Sequence, residues 1–206
     1  MKKAYSIIAW GLALELLDFR INNFDLLPDV LGYLLVAIGL SRLKEGRRYF
    51  GVARWAAVVL MFFSVLPLIG MESTISLTSG DKPGFQALAL TSVTTAIDLL
   101  MLYGICRGIR SSAINRSKWE LALSAKNGWT ILFVFGAMTL FACPFQLNYS
   151  LQDGIGFALF LAAGNFVCGV WVIFLVRRAG RELPGARKGG GGSPEEGVGG
   201  ELDIIV

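Results

Sequence analysis

ELLDFRINNFDLLPDVLGYLLVAIGLS, residues 15–41, decides how the rest of the chain is read. An apolar run gives way to acids and amides, turns, and passes into a second apolar run. Glu15, Asp18, Asp25 and Asp29 crowd this stretch, and Arg20 is the only base among them. The pattern predicts the tip of a helical hairpin whose arms lie in a bilayer, because an apolar run approaching about 20 residues matches the thickness of the hydrocarbon core. Asp25 is placed to cap the second arm, and Pro28 falls in its first turn, where a missing N–H costs little. Gly32 and Gly39 are seven residues apart and share a face, a shallow groove for a neighbouring helix.

The composition of the whole chain agrees. Hydrophobic residues make up 54% and charged residues 17% of the 206 residues, and the mean hydropathy is +0.61. A soluble domain carries about 25% charged residues. The expected fold class is all-α: an integral membrane bundle of six transmembrane helices, at about 4–21, 26–43, 55–71, 85–106, 129–147 and 154–176. Residues 1–183 form this domain, and 184–206 are a Gly-rich, acid-bearing tail with too little apolar surface to fold. The GGGGS run inside it is compatible with a natural tail or an added linker. Pro67 is expected to kink the third helix, and the polar stretch from Glu72 to Gly84 reads as a loop. Residues Asn148 to Asp153 read as a short turn. Ser117 and Glu120 have capping-box spacing, which predicts a short interfacial helix ahead of the fifth span.

Charge sets an orientation. Of the 19 Lys and Arg residues, all but Arg20 and Lys82 fall beside the termini or in the even-numbered connections. This is the positive-inside pattern, with both termini cytoplasmic. It accounts for the net charge of +4 without any nucleic-acid partner. Tyr5, Tyr49, Trp55, Trp119 and Trp129 lie near the basic ends, as an aromatic belt requires.

Ionisable residues inside a membrane helix are costly and mark functional sites by default. Asp98 is the clearest case. Thr91, Thr94 and Thr95 precede it by seven, four and three positions, so helical spacing puts all four on one face. At about 1.5 Å per residue, Asp98 lies roughly 14 Å from the basic end of its helix at Arg107. Asn165 and Glu15 lie at roughly 18 Å and Thr139 at roughly 15 Å, counted the same way. One polar layer near the bilayer middle results, with no Lys or Arg in it. Such a layer either binds a proton, a metal cation or a cationic solute, or simply holds helices together. At the hairpin tip, Asp18, Asp25 and Asp29 could similarly hold a divalent cation, or be ordinary capping and solvated residues.

Within the hairpin, FDLLPDVLGYLLVAIGL (24–40) resembles a segment near the N-terminus of small uncharacterised bacterial multi-pass membrane proteins. Asp25, Pro28, Asp29, Gly32 and Tyr33 carry the likeness. It implies a bacterial inner-membrane setting and no particular chemistry. Six helices in about 180 residues also look like the substrate-binding components of energy-coupling-factor vitamin transporters. The Ala9-x-x-x-Ala13 pair is similar to part of their docking motif. The small-residue pairs Ala9/Ala13 and Gly164/Cys168 fit helix–helix contacts.

Enzyme classes are narrowed by absence. There is no His, so no Ser/His or HExxH chemistry is available. Cys106, Cys143 and Cys168 sit in apolar blocks as packing residues, without CxxC spacing. No phosphate-binding glycine loop is present, since GGGGS lacks the Lys-Ser/Thr ending. The expectation is a non-enzymatic, partner-binding or complex-forming membrane component, whose companion is another membrane protein or a second copy. The alternative is a small-solute or cation-binding transport subunit of the energy-coupling-factor substrate-binding type that uses the polar layer, with an intramembrane enzyme as the third and least favoured reading. No cofactor and no bound metal are expected.

Overall fold

The computed structural model describes residues 2–16, 26–43, 47–65, 85–147 and 151–183. These form six α-helices: α1 Lys2–Leu16, α2 Leu26–Ser41, α3 Arg47–Phe63, α4 Phe85–Ile114, α5 Trp119–Ala142 and α6 Leu151–Glu182. A short 3₁₀ turn over Cys143–Leu147, which contains Pro144, follows α5. The expected all-α class is what is found. Three helices are long and apolar enough to cross a membrane, over Leu88–Ile114, Trp119–Phe145 and Gly156–Glu182, and α2 supplies a shorter apolar stretch over Asp29–Ser41. The described parts of α1, α2 and α3 have 15, 16 and 17 residues. Residues 17–21 and 66–71, which would lengthen the first and third expected spans, lie outside the described residues. So do Pro67, the loop at 72–84, Asn148 to Ser150, and the tail.

The helices run further into the basic segments than the charge pattern predicts. α3 starts at Arg47 and α4 continues through Arg107 and Arg110 to Ile114. Arg is a good helix former, and its stem can lie along apolar surface while its head stays wet, so a basic run need not end a helix. Likewise α6 already includes Leu151 to Asp153.

The expected interfacial helix is also absent. Trp119 to Leu123 are the first residues of α5 itself. Lys118, not Ser117, is the N-cap, and it makes no side-chain cap bond. Ser117 instead has φ 57° and closes α4. The Lys118 N–H bonds Ala113 O at 2.9 Å, and the Ser117 N–H bonds Ile114 O at 3.0 Å. That is the Schellman pattern, in which glycine usually takes the left-handed position. Glu120 is then free to reach across to α6, where its carboxylate meets Arg178 at 3.3 Å.

Each helix packs on its chain neighbours, and α6 returns to α1, so the six helices make a closed ring. α1 and α2 approach closely enough that their backbones nearly touch. A Cβ on Gly11 would lie 2.7 Å from the Gly32 carbonyl oxygen, and one on Gly39 would lie 2.5 Å from the Ile8 side chain. The groove predicted at Gly32 and Gly39 is therefore filled by α1. Ala9 is fully buried, and Phe135 of α5 lies against Gly164 of α6.

Toward the basic ends of the helices the core is closely filled, by Ile8, Ile105, Ile109, Leu121 and Val176 among others. Cys106, Cys143 and Cys168 are free and buried. Large apolar side chains also cover the outside: Phe62, Phe141, Val167 and Phe174 are exposed, Phe141 by 73%. A lipid-facing surface tolerates this and a water-facing one rarely does. Trp55 and Trp119 project outward, as a belt requires, at 65% and 68% exposure. Tyr5 does not. It is buried against Gly180, at the seam where α6 closes on α1.

Candidate functional site

A cavity of about 480 Å³ lies inside the ring, walled by α1, α2, α4, α5 and α6. Six of the predicted site residues line it: Glu15, Thr94, Thr95, Asp98, Thr139 and Asn165. Thr91 does not. Its carbonyl accepts a hydrogen bond from the Thr94 hydroxyl at 3.0 Å, one turn away along α4.

Tyr33 of α2 also lines the cavity, within hydrogen-bonding reach of Glu15. Sequence reasoning had placed it only in the hairpin resemblance. The usable signal was a phenol in the middle of an apolar helix, since a buried tyrosine hydroxyl needs a partner. Gly32 brings it there by letting the α2 backbone approach Glu15, whose N would lie 3.3 Å from an added Cβ.

Glu15 and Asp98 face each other across the ring within hydrogen-bonding reach, although α1 and α4 are not sequential neighbours. One oxygen of each, Glu15 Oε2 and Asp98 Oδ1, is enclosed with no hydrogen-bond partner among the described residues. Two ionised carboxylates offer only acceptors, so neither can satisfy the other. A single proton between them, or a cation, would satisfy both. Asp29 of α2 is near enough to add its charge to the field at Glu15.

Thr94, Thr139 and Asn165 direct their donors to protein acceptors. Thr94 donates to the carbonyls of Leu90 and Thr91, each at 3.0 Å. Thr139 donates to Phe135 O at 2.9 Å. The Asn165 amide donates to Thr139 Oγ1 at 2.9 Å and to Leu161 O at 3.0 Å. These three residues and the carboxyl oxygens therefore leave acceptor capacity for the cavity, and the Thr95 hydroxyl adds a donor and an acceptor. Among the described residues no Lys or Arg lines the cavity. The helix-bridging bond of the polar layer is Asn165 to Thr139; neither of these residues partners Asp98 Oδ1.

Of the hairpin acids, Asp18 and Asp25 lie outside the described residues, and Asp29 sits in the first turn of α2. Among the described residues no group of three His, Cys, Asp or Glu is placed to hold a metal ion.

Three long apolar helices and an apolar exterior are the features of a multi-pass integral membrane protein. Comparison with protein-family models, with curated proteins and with solved structures finds no match.

Proposed function

We propose that this chain is a six-pass protein of a bacterial inner membrane, with both termini in the cytoplasm, and that its cavity binds a small cationic solute as a non-enzymatic transport or carrier component. One observation carries the reading: two facing carboxyls, each with an enclosed unpartnered oxygen, in the wall of a cavity where Thr94, Thr139 and Asn165 have also directed their donors elsewhere. A ligand with an ammonium-type group supplies donors and positive charge together. The cavity is within the usual size of small-molecule sites, about 300–1,000 Å³. The clustering of bases at one end of the helices supports the orientation, and the likeness of residues 24–40 to bacterial membrane proteins supports the setting.

The test is unbiased mass spectrometry of small molecules that copurify in mild detergent. An amine or other cation should be enriched with the wild-type chain and reduced at least about tenfold with Asp98→Asn or Glu15→Gln, the equivalent of about 1.4 kcal/mol or more. Identical small-molecule content in all three would overturn the reading.

A second reading, a component that binds another membrane protein, is favoured by Gly51 on α3, beside which nothing packs within 4 Å. A single membrane partner retained by the wild-type chain and lost with Gly51→Leu would support it.

A further inference from the structure

A second cleft lies away from the cavity, between α3 and α4. It measures about 210 Å³ and is lined by Tyr49, Arg107, Arg110, Ser111, Ile114 and Asn115. The α4 residues Arg107, Arg110, Ser111 and Ile114 are spaced 0, 3, 4 and 7, so they form one stripe along the helix. The stripe is held against α3 by two glycines. A Cβ on Gly104 would lie 2.8 Å from the Tyr49 carbonyl oxygen, and one on Gly108 would meet the Phe50 ring. This close approach sets the Arg107 guanidinium over the Tyr49 ring, 5.9 Å from its centroid.

Both arginines are half-buried, and among the described residues no acid lines the cleft. Among the described residues no carboxylate pairs with either of them, whereas Arg178 on α6 takes both Glu120 and Glu182. Two guanidinium groups, a hydroxyl and an amide converging without a counter-charge suit a tetrahedral oxyanion.

The surroundings point to where that anion comes from. The cleft sits at the basic end of a helix long enough to cross a membrane. Toward the middle of α4 the same stripe continues through Leu100 and Val93, which are 47% and 46% exposed. On α3, Val52 is exposed one turn beyond Tyr49. A charged recess above an apolar, outward-facing strip matches a headgroup above its acyl chains. We propose that this cleft binds the phosphate of an anionic phospholipid headgroup, with Arg107 and Arg110 on the phosphate oxygens and the acyl chains along Leu100, Val93 and Val52.

Native mass spectrometry of the full chain in detergent tests this, with phosphatidylglycerol, phosphatidylcholine and inorganic phosphate as probes. Phosphatidylglycerol should be retained about tenfold more tightly than phosphatidylcholine, whose choline group the arginines repel. Arg107→Gln with Arg110→Gln should abolish that preference, and Arg48→Gln with Arg54→Gln, outside the cleft, should leave it intact. Thermal melting of the wild-type chain gives a readout free of variants: phosphatidylglycerol should raise Tm more than phosphatidylcholine does. Equal retention of the two lipids, equal Tm, or a preference that survives loss of both arginines would overturn the proposal. Displacement of phosphatidylglycerol by millimolar inorganic phosphate would assign the cleft to a soluble phosphate and overturn the lipid source.

Discussion

Two levels of the same bundle are built on opposite terms. On α1, Ile8 is packed and Glu15, seven residues on, faces a cavity; on α4, Ile105 is packed and Asp98, seven residues back, faces the same cavity. Two turns along one face, about 10 Å, separate a filled level from a hollow one. At the filled level Gly39 lets α2 close on Ala4 and Ile8 of α1, and Gly11 and Gly32 carry this contact on toward Glu15. Lipid supplies little hydrophobic drive between helices, so close packing must do the holding. The hollow level gives up that packing and presents oxygen acceptors. Close packing and open acceptors are thus allotted to different depths of the same helices.

The largest effect is expected where glycines bring α1 and α2 together. Gly11→Leu must force the α1 and α2 backbones apart and should cost about 3 kcal/mol or more, read as loss of monodisperse protein on size exclusion in detergent. A smaller contrast comes from equal truncations at the two depths. Ile105→Ala should cost about 2 kcal/mol or more, because it opens a void in a packed layer. Leu102→Ala, at the cavity wall, should cost less than about 1 kcal/mol, since atoms there already border open space. Thermal melting in detergent compares them, and equal costs would break the two-level picture.

Next, the double variant Glu15→Gln with Asp98→Asn removes the acidic pair while keeping its shape. If the pair serves binding, Tm should hold or rise slightly, because two enclosed acceptors no longer face each other. A clear drop in Tm would make the pair helix glue. The smallest effect lies outside both levels. Ser117→Gly relieves a left-handed backbone at the end of α4 and should stabilise by about 0.5–1 kcal/mol in the same melt.

Much of the site was legible because membrane helices obey simple arithmetic. Counting residues from the basic ends put Glu15, Asp98, Thr139 and Asn165 in one layer, and these four line one cavity. Helical spacing put Thr94 and Thr95 on the Asp98 face, and both line it too. Depth, however, says nothing of rotation between helices. Nothing in the order of residues says that α1 and α4, which are not neighbours in the ring, bring their acids within reach of each other. Tyr33 was overlooked for the same reason, since its role depends on which way α2 turns. Thr91 was over-included because a shared face is broader than a cavity wall.

The helix ends were misjudged on other grounds. Arg and Lys mark the membrane boundary yet favour helix, so Arg107 and Arg110 read as a connection while α4 continues through them. At Ser117 the capping-box spacing was present, but a residue can serve only one helix end. The bonds from Ser117 and Lys118 back to Ile114 and Ala113 commit that turn to closing α4.

The seam between α1 and α6, where Tyr5 lies against Gly180, has a bearing on biogenesis. α1 leaves the ribosome before α6, so it gains this neighbour only when α6 arrives. Until then one flank of α1 stays unclaimed, and Glu15 sits in a half-assembled bundle. Nascent chains halted before α6 should therefore be open, protease-sensitive intermediates, however completely their earlier helices have inserted.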